Sequence, residues 1–278
     1  MHTMFDLHVH AAPDVVDRRF DDTDTVRAYE RAGFSGCVLK AHYESTVGRA
    51  AAAGRGSPLD VFGGVALNQH VGGVNPAAVS AALAAGARVV WFPTADAHTQ
   101  RSAHLPSLCD AAPGGFDRSY AVPPVDGSTA EAVEQVCALV GEYDAVLATG
   151  HLSGAEVHHL VPVARKHGVR RILLTHPSYT VPGLNAAQTA ELTRLGALAE
   201  VTTFQLLHQP GWDAARLARF VEEVGTEHVV LSSDAGQPDS PPAPEALSLL
   251  VRSLAAEGLD EAELLRCASS RPRDLVVL

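Results

Sequence analysis

Short apolar runs, many of them rich in β-branched residues, alternate along this chain with longer Ala/Leu/Glu/Arg segments. The first run, "FDLHVH" at 5–10, predicts a strand with Leu7 and Val9 on one face and His8 and His10 on the other, because strand side chains point to alternate sides. Seven more runs predict strands: "GCVLK" ending at 40, then 61–68, 87–94, 145–151, 171–176, 198–204 and 228–234. Helical character fills the intervals at about 23–33, 44–54, 75–86, 128–142, 154–167, 184–196, 213–225 and 243–257. Gly33, Gly86, Gly168, Gly196 and Gly225 stand where helices would stop; "STAE" at 128–131 predicts a capping box, and Pro76 after Asn75 suits a first helical turn.

Near-continuous apolar strands separated by helices imply a parallel sheet covered on both faces. Eight such units close most naturally into a (β/α)8 TIM-type barrel, an α/β fold in which residues 1–278 form one domain. The rival, a doubly wound open sheet, would want a Gly-rich nucleotide loop after an early strand, and neither G-x-G-x-x-G nor a P-loop is present. One connection breaks the rhythm. Residues 96–127, after the fourth strand, carry no periodic segment and are expected to form a lid loop over the barrel mouth. Residues 259–278 read as a further C-terminal helix and a tail packed on the barrel.

Composition narrows the chemistry. Apolar residues make up 46% and charged ones 19% of 278, enough for a packed core. A net charge of −11 without a Lys/Arg-rich run argues against nucleic acid or an anionic membrane as partner and favours a small-molecule substrate. With no apolar run of membrane-spanning length and no signal-like N-terminus, a cytoplasmic location is expected. The oligomeric state stays open, a homo-oligomer included. Four dispersed cysteines, Cys37, Cys109, Cys137 and Cys267, suggest buried small residues rather than disulfides or a thiolate zinc site.

The predicted strand ends hold the informative residues, because barrel active sites form at the C-terminal ends of the strands. In order they are His8 with His10, Lys40 with His42, Asn68 with His70, Thr94 with Asp96, His151, His176, Thr202 with Thr203, and Asp234. Imidazole nitrogens and carboxylate oxygens are the donors that hold a catalytic divalent metal, zinc in first place with manganese or iron as alternatives. His8, His10, His151, His176 and Asp234 are therefore candidate metal ligands. Asp234 is the candidate base for a metal-activated water, and His176 or the metal would polarise the carbonyl. Taken singly, His8 and His10 read as a polar core pair; the five strand-end positions together outweigh that reading.

Around them His42, Asn68, His70 and, in the loop, Arg101 are candidates for substrate binding. Structural alternatives stand beside each: His42 and His70 as supporting or surface residues, Asn68 as a turn former with Gly72 and Gly73, Arg101 as a solvated loop residue. Asp14, Arg18 and Arg19 follow the first strand and lie near the predicted mouth.

"HVH" on the first strand, "GH" on the fifth, "TH" on the sixth and "SSDAG" on the eighth resemble the amidohydrolase superfamily, in order and spacing across nearly the whole chain. "KAHYEST", "LNQHVGGVNPAAV", "VVWFPT", "ATGHLSGAE" and "LLTHPS" are similar to an uncharacterised amidohydrolase-like group. The resemblance implies the barrel, one or two metal ions and an enzyme that hydrolyses an amide, lactam, lactone or similar bond. A metal-dependent decarboxylase, hydratase or phosphoesterase on the same barrel is the alternative, and a barrel that only binds a ligand ranks third. One departure stands out: where binuclear relatives carry a bridging Lys or Glu on the fourth strand, this chain has "WFPTADA". Lys40, on the second strand, is the substitute bridge if carbamylated; as an ammonium it would instead bind a substrate carboxylate, and as a structural cation it would pair with Asp6 or Glu44.

Overall fold

The computed structural model describes residues 3–105 and 118–277. Eight strands, β1 (Phe5–His10), β2 (Gly36–Lys40), β3 (Asp60–Ala66), β4 (Val89–Trp91), β5 (Val146–Ala148), β6 (Arg171–Leu174), β7 (Ala197–Thr202) and β8 (Val229–Ser232), lie in sequence order, each parallel to the next. All eight predicted strands are present, and helices separate them: α1 (Asp22–Arg31), α2 (Val47–Ala53), α3 (Pro76–Ala84), α4 (His98–Ser102), α5 (Ala130–Glu142), α6 (Gly154–Lys166), α7 (Ala186–Thr193), α8 (Thr203–His208), α9 (Ala214–Val224) and α10 (Ala243–Ala256). The predicted C-terminal helix is two, α11 (Glu261–Cys267) and α12 (Ser270–Val276).

Every strand contributes to an apolar plug inside the barrel, led by Phe5, Val38, Ala66, Trp91, Val146, Leu173 and Val230, with Leu198 packed against it. Leu275 and Val276 of α12 seal that plug at the end opposite the site, where Phe5 N donates to Ala268 O at 2.8 Å. With the N-terminal end filled by hydrocarbon, the polar residues are left to the C-terminal ends of the strands. Two outer clusters pack the helices on the barrel.

β1 departs from the simple alternation expected of it. Its register against β2 shifts between Asp6 and Val9, so Leu7 joins the interior plug while Val9 packs with the outer helices. The irregularity re-aims the strand, as bulges near active sites do, and both His8 and His10 end up in the polar mouth.

Closure between β8 and β1 uses side chains where strand pairing is thin. Only an isolated bridge, Val9 to Ala235, links the two among the described residues, with His10 N donating to Ala235 O and Asp234 N to His8 O, both at 2.8 Å. The fully buried Asp6 carboxylate completes the seam by accepting from His8 N, Ser233 N and the Tyr29 hydroxyl at 3.1, 3.0 and 2.6 Å. Burial pushes its pKa up against those three donors.

Helix starts follow side-chain chemistry. Asn75 caps α3 with Pro76 in its first turn, as expected, and capping boxes form at Ser153/Glu156, Asn185/Gln188 and Thr202/Gln205. The box expected at 128–131 does not form: Asp126 takes Ser128, and the chain runs through a 3-10 turn into α5. Of the long connection after β4, residues 96–105 and 118–127 are described; the middle of the expected lid, 106–117, lies outside the described residues, as does Cys109. Cys37, Cys137 and Cys267 are buried free thiols. No helix among the described residues is long and apolar enough to cross a membrane.

Candidate metal centre

Above the plug, the ends of β1 and β8 bring three ligand atoms together. His8 Nε2 and His10 Nε2 lie 3.0 and 3.2 Å from the same Asp234 oxygen, Oδ1. The ligand atoms of these three buried residues all fall within 4.8 Å of one another. Asp234 and His176 both adopt positive φ, 49° and 26°, conformations that side-chain-bearing residues hold only when the surroundings impose them.

His151 and His176 do not join that set of three; they form a neighbouring pair, ring centroids 4.9 Å apart, with His176 6.3 Å from the His8 ring. Both are buried and neutral, His176 held down to about 4 chiefly by burial, and His151 well below its usual value by burial, His176 and Lys40. His151 Nδ1 meets Gln100 Oε1 at 3.1 Å, which turns Nε2 away from that partner, while His176 Nδ1 is buried without a hydrogen-bond partner.

Lys40 is buried too, its Nζ 2.8 Å from His8 Nε2 and 5.5 Å above the Trp91 ring. Neither proposed structural partner holds it: Asp6 is engaged in the seam and Glu44 with Arg49. The 2.8 Å contact leaves room for one proton between the two nitrogens, so His8 and Lys40 titrate as a pair. Burial lowers Lys40 to about 8; it also works against charge on His8, but the Asp234 and Glu200 carboxylates outweigh it and raise that imidazole to about 9.

Glu200, in the middle of β7, was not anticipated. It is wholly buried, with Oε1 accepting from His8 Nδ1 at 3.1 Å and Oε2 from the His176 amide at 3.3 Å. Burial opposes its ionisation, yet His8 and His176 hold its pKa below the usual carboxylate value. The sequence signal was one acid inside a predicted strand, "LAEVTTF". A carboxylate on Nδ1 keeps the proton there and leaves Nε2 free as a donor atom, the arrangement found behind metal-bound histidines.

A cavity of about 350 Å³ opens over these groups. His10, Lys40, His42, His151, His176 and Asp234 line it, together with Gln100, Tyr179 and Phe204, which were not foreseen, and Arg18. His42 faces it neutral, stacked 5.0 Å from His10 with Nδ1 on Thr94 Oγ1.

Three sequence candidates for substrate binding do not stand among its walls. Asn68 is spent on the framework: its Nδ2 donates to His42 O and Thr94 Oγ1, and its Oδ1 accepts from Thr94 N and Asp96 N. His70 sits exposed on a 3-10 turn, edge-on to Tyr43. Arg101 lies next to Gln100 on α4, but neighbours in a helix point about 100° apart; Gln100 enters the cavity and Arg101 stands 3.8 Å from Asp96.

The same barrel fold occurs in several solved structures. Similar solved structures include an amidohydrolase from Pseudomonas aeruginosa (10% identity, TM-score 0.65, covering 99% of this chain and 97% of that one) and a PTE-like lactonase mutant from Deinococcus radiodurans (16%, 0.61, 99% and 95%). A third is an organophosphate-hydrolysing protein engineered from a weak promiscuous lactonase template (14%, 0.62, 99% and 95%). Residues 3–200 match the model of a family of unknown function, DUF6282, and the chain belongs to that family. Comparison with curated proteins finds no match.

Proposed function

We propose that this protein is a metal-dependent hydrolase that cleaves an amide, lactam, lactone or similar bond in a small molecule. The observation that carries the reading is the meeting of His8 Nε2, His10 Nε2 and Asp234 Oδ1 at the floor of the cavity. The donor set fits a zinc-like cation: two imidazoles, one carboxylate, and a buried carboxylate behind His8 that fixes its tautomer. His8, His10 and Asp234 would hold the ion, with His151, His176 and Lys40 available to a second ion or to the substrate. When bound, such an ion supplies Lewis-acid activation of water and of the scissile acyl oxygen.

The chain's own groups do the rest. Asp234 offers Oδ1 to both histidines, which leaves Oδ2 to take the proton of the attacking water. His176, neutral, lines the cavity and would stand beside the acyl oxygen of a bound substrate. Tyr179 and Phe204 give the substrate an apolar wall. The names of the similar structures, lactonase, organophosphate hydrolase and amidohydrolase, support the same reaction class.

A panel of lactones, amides and phosphotriesters, assayed with chelator-stripped and zinc- or manganese-loaded protein and read by product mass, tests the proposal. Water addition that depends on the metal is expected; loss of carbon dioxide, or turnover indifferent to the chelator, would replace it.

A further inference from the structure

Arg18 is placed where a loop arginine has little structural reason to be. It lies in the β1–α1 connection with its side chain only 4% exposed, and it lines the cavity beside His10 and Lys40. Asp14, itself 1% exposed, takes both Nε and Nη2 on one oxygen at 2.6 Å, which locks the plane of the guanidinium. Nη2 also stands 3.2 Å from His10 Nδ1. Nη1 makes no hydrogen bond among the described residues.

A loop staple between Asp14 and Arg18 would work equally well at the surface, where neither charge is desolvated. Here the pair is driven into the cavity wall, beside the imidazole of His10. Asp14 balances the charge at the Nε and Nη2 edge, and Nη1 is left for a second acceptor. Arginine keeps its charge throughout the physiological range, and a fork fixed on one edge by a carboxylate is pre-organised on the other. Of the described lining residues, Asp17 and Asp234 bring carboxylates; Asp17 is exposed at the rim and Asp234 is occupied by His8 and His10.

We propose that the cavity selects a substrate carrying a carboxylate, which Arg18 Nη1 binds while the apolar body of the molecule rests on Tyr179 and Phe204. This deepens the hydrolase reading by naming its substrate class, and it places the scissile bond between the Arg18 wall and the metal floor. The volume, about 350 Å³, suits a compact organic acid rather than a polymer.

Benzoate and its neutral counterpart benzamide are the probes, titrated calorimetrically into zinc-loaded wild-type, Arg18→Gln and Arg18→Lys protein, with bound zinc counted in each sample. Benzoate is expected to bind wild type at least about tenfold more tightly than benzamide, the factor one charge-assisted hydrogen bond supplies. Arg18→Gln should erase that preference and Arg18→Lys keep part of it, with zinc content unchanged. A preference that survives Arg18→Gln would belong to the metal and overturn the proposal. If Arg18→Gln does not fold, a crystal structure of wild type with benzoate decides: the carboxylate on Nη1 supports it, and a carboxylate elsewhere refutes it. An inorganic phosphate titration separates a carboxylate site from a phosphate site, since phosphate binding that beats benzoate would reassign the subsite. Absence of zinc with an Arg18-dependent benzoate preference would remove the hydrolase reading and leave the acid-binding site standing.

Discussion

Replacing Glu200 with glutamine keeps the volume and removes one acceptor, and the geometry turns that change into a definite outcome. The carboxylate faces two donors, His8 Nδ1–H at 3.1 Å and the His176 amide at 3.3 Å, with no exposure to water. Glutamine has one oxygen and one NH2 group there. The backbone amide cannot change its role, so the oxygen goes to His176 and the NH2 faces His8 Nδ1, which must then accept. His8, protonated on both nitrogens beside the carboxylate, gives up its Nδ1 proton in the variant and keeps the one on Nε2, toward Asp234. The His176 amide and His8 Nδ1 both keep a partner without metal, so the metal-free variant should stay within about 1 kcal/mol of wild type. Binding a cation at Nε2 forces the proton back to Nδ1, breaks a buried hydrogen bond and forfeits the charge behind the ring. Those losses come to roughly 1.5–3 kcal/mol, or a zinc affinity about 10–100-fold weaker. Competition with a fluorescent chelator measures the affinity and thermal melting the stability. Zinc affinity within about threefold of wild type would refute the tautomer reasoning.

Other consequences are as direct. Because carboxylates hold His8 near 9 and a cation must displace its Nε2 proton, zinc loading at about pH 7.5 should release close to one proton per ion, and affinity should climb with pH until it passes about 9; titrations in buffers of different ionisation enthalpy count the proton. Asn68→Ala strips partners from buried Thr94 and Asp96 amides and should cost roughly 3 kcal/mol, visible as a melting temperature lower by about 6–12 °C, with zinc affinity retained. Gly150, at φ +62°, has no space for a methyl group: a Cβ would stand 2.2 Å from Phe92 O, so Gly150→Ala should lose more than about 2 kcal/mol, against about 1 for Gly168→Ala, whose Cβ meets nothing within 4 Å.

The barrel was legible because the units repeat one pattern: an apolar run, a polar residue at its end, a helix and, in most of them, a stopping glycine. Strand-end position alone located the residues of the floor, since His8, His10, Lys40, His151, His176 and Asp234 all face the cavity or the ring beneath it. What was hidden depends on contacts between distant segments. Glu200 sits two residues before its strand ends, and its partner His8 lies where the register of β1 shifts. The same irregularity separates Leu7 from Val9, which no period-two reading could foresee. Asp6 stood in the sequence as a possible ion partner of Lys40 and proves to be the seam of the barrel, because β8 and β1 share little backbone pairing. Arg18 and Arg101 were equivalent loop arginines in the sequence; the path of each loop, not its composition, put one in the cavity wall and the other beside Asp96. Asn68 lost its place as a substrate contact for an arithmetic reason, its amide being filled by four framework bonds.

The most direct test of the cation centre is elemental analysis of protein stripped with chelator, re-exposed to zinc or manganese and desalted, for wild type and for His10→Ala and Asp234→Asn. At least one ion per chain in wild type, with most of it lost in both variants while they remain folded, is the result expected. A folded wild-type chain that retains no ion, or variants that retain as much as wild type, would show that His8, His10 and Asp234 meet for some other purpose.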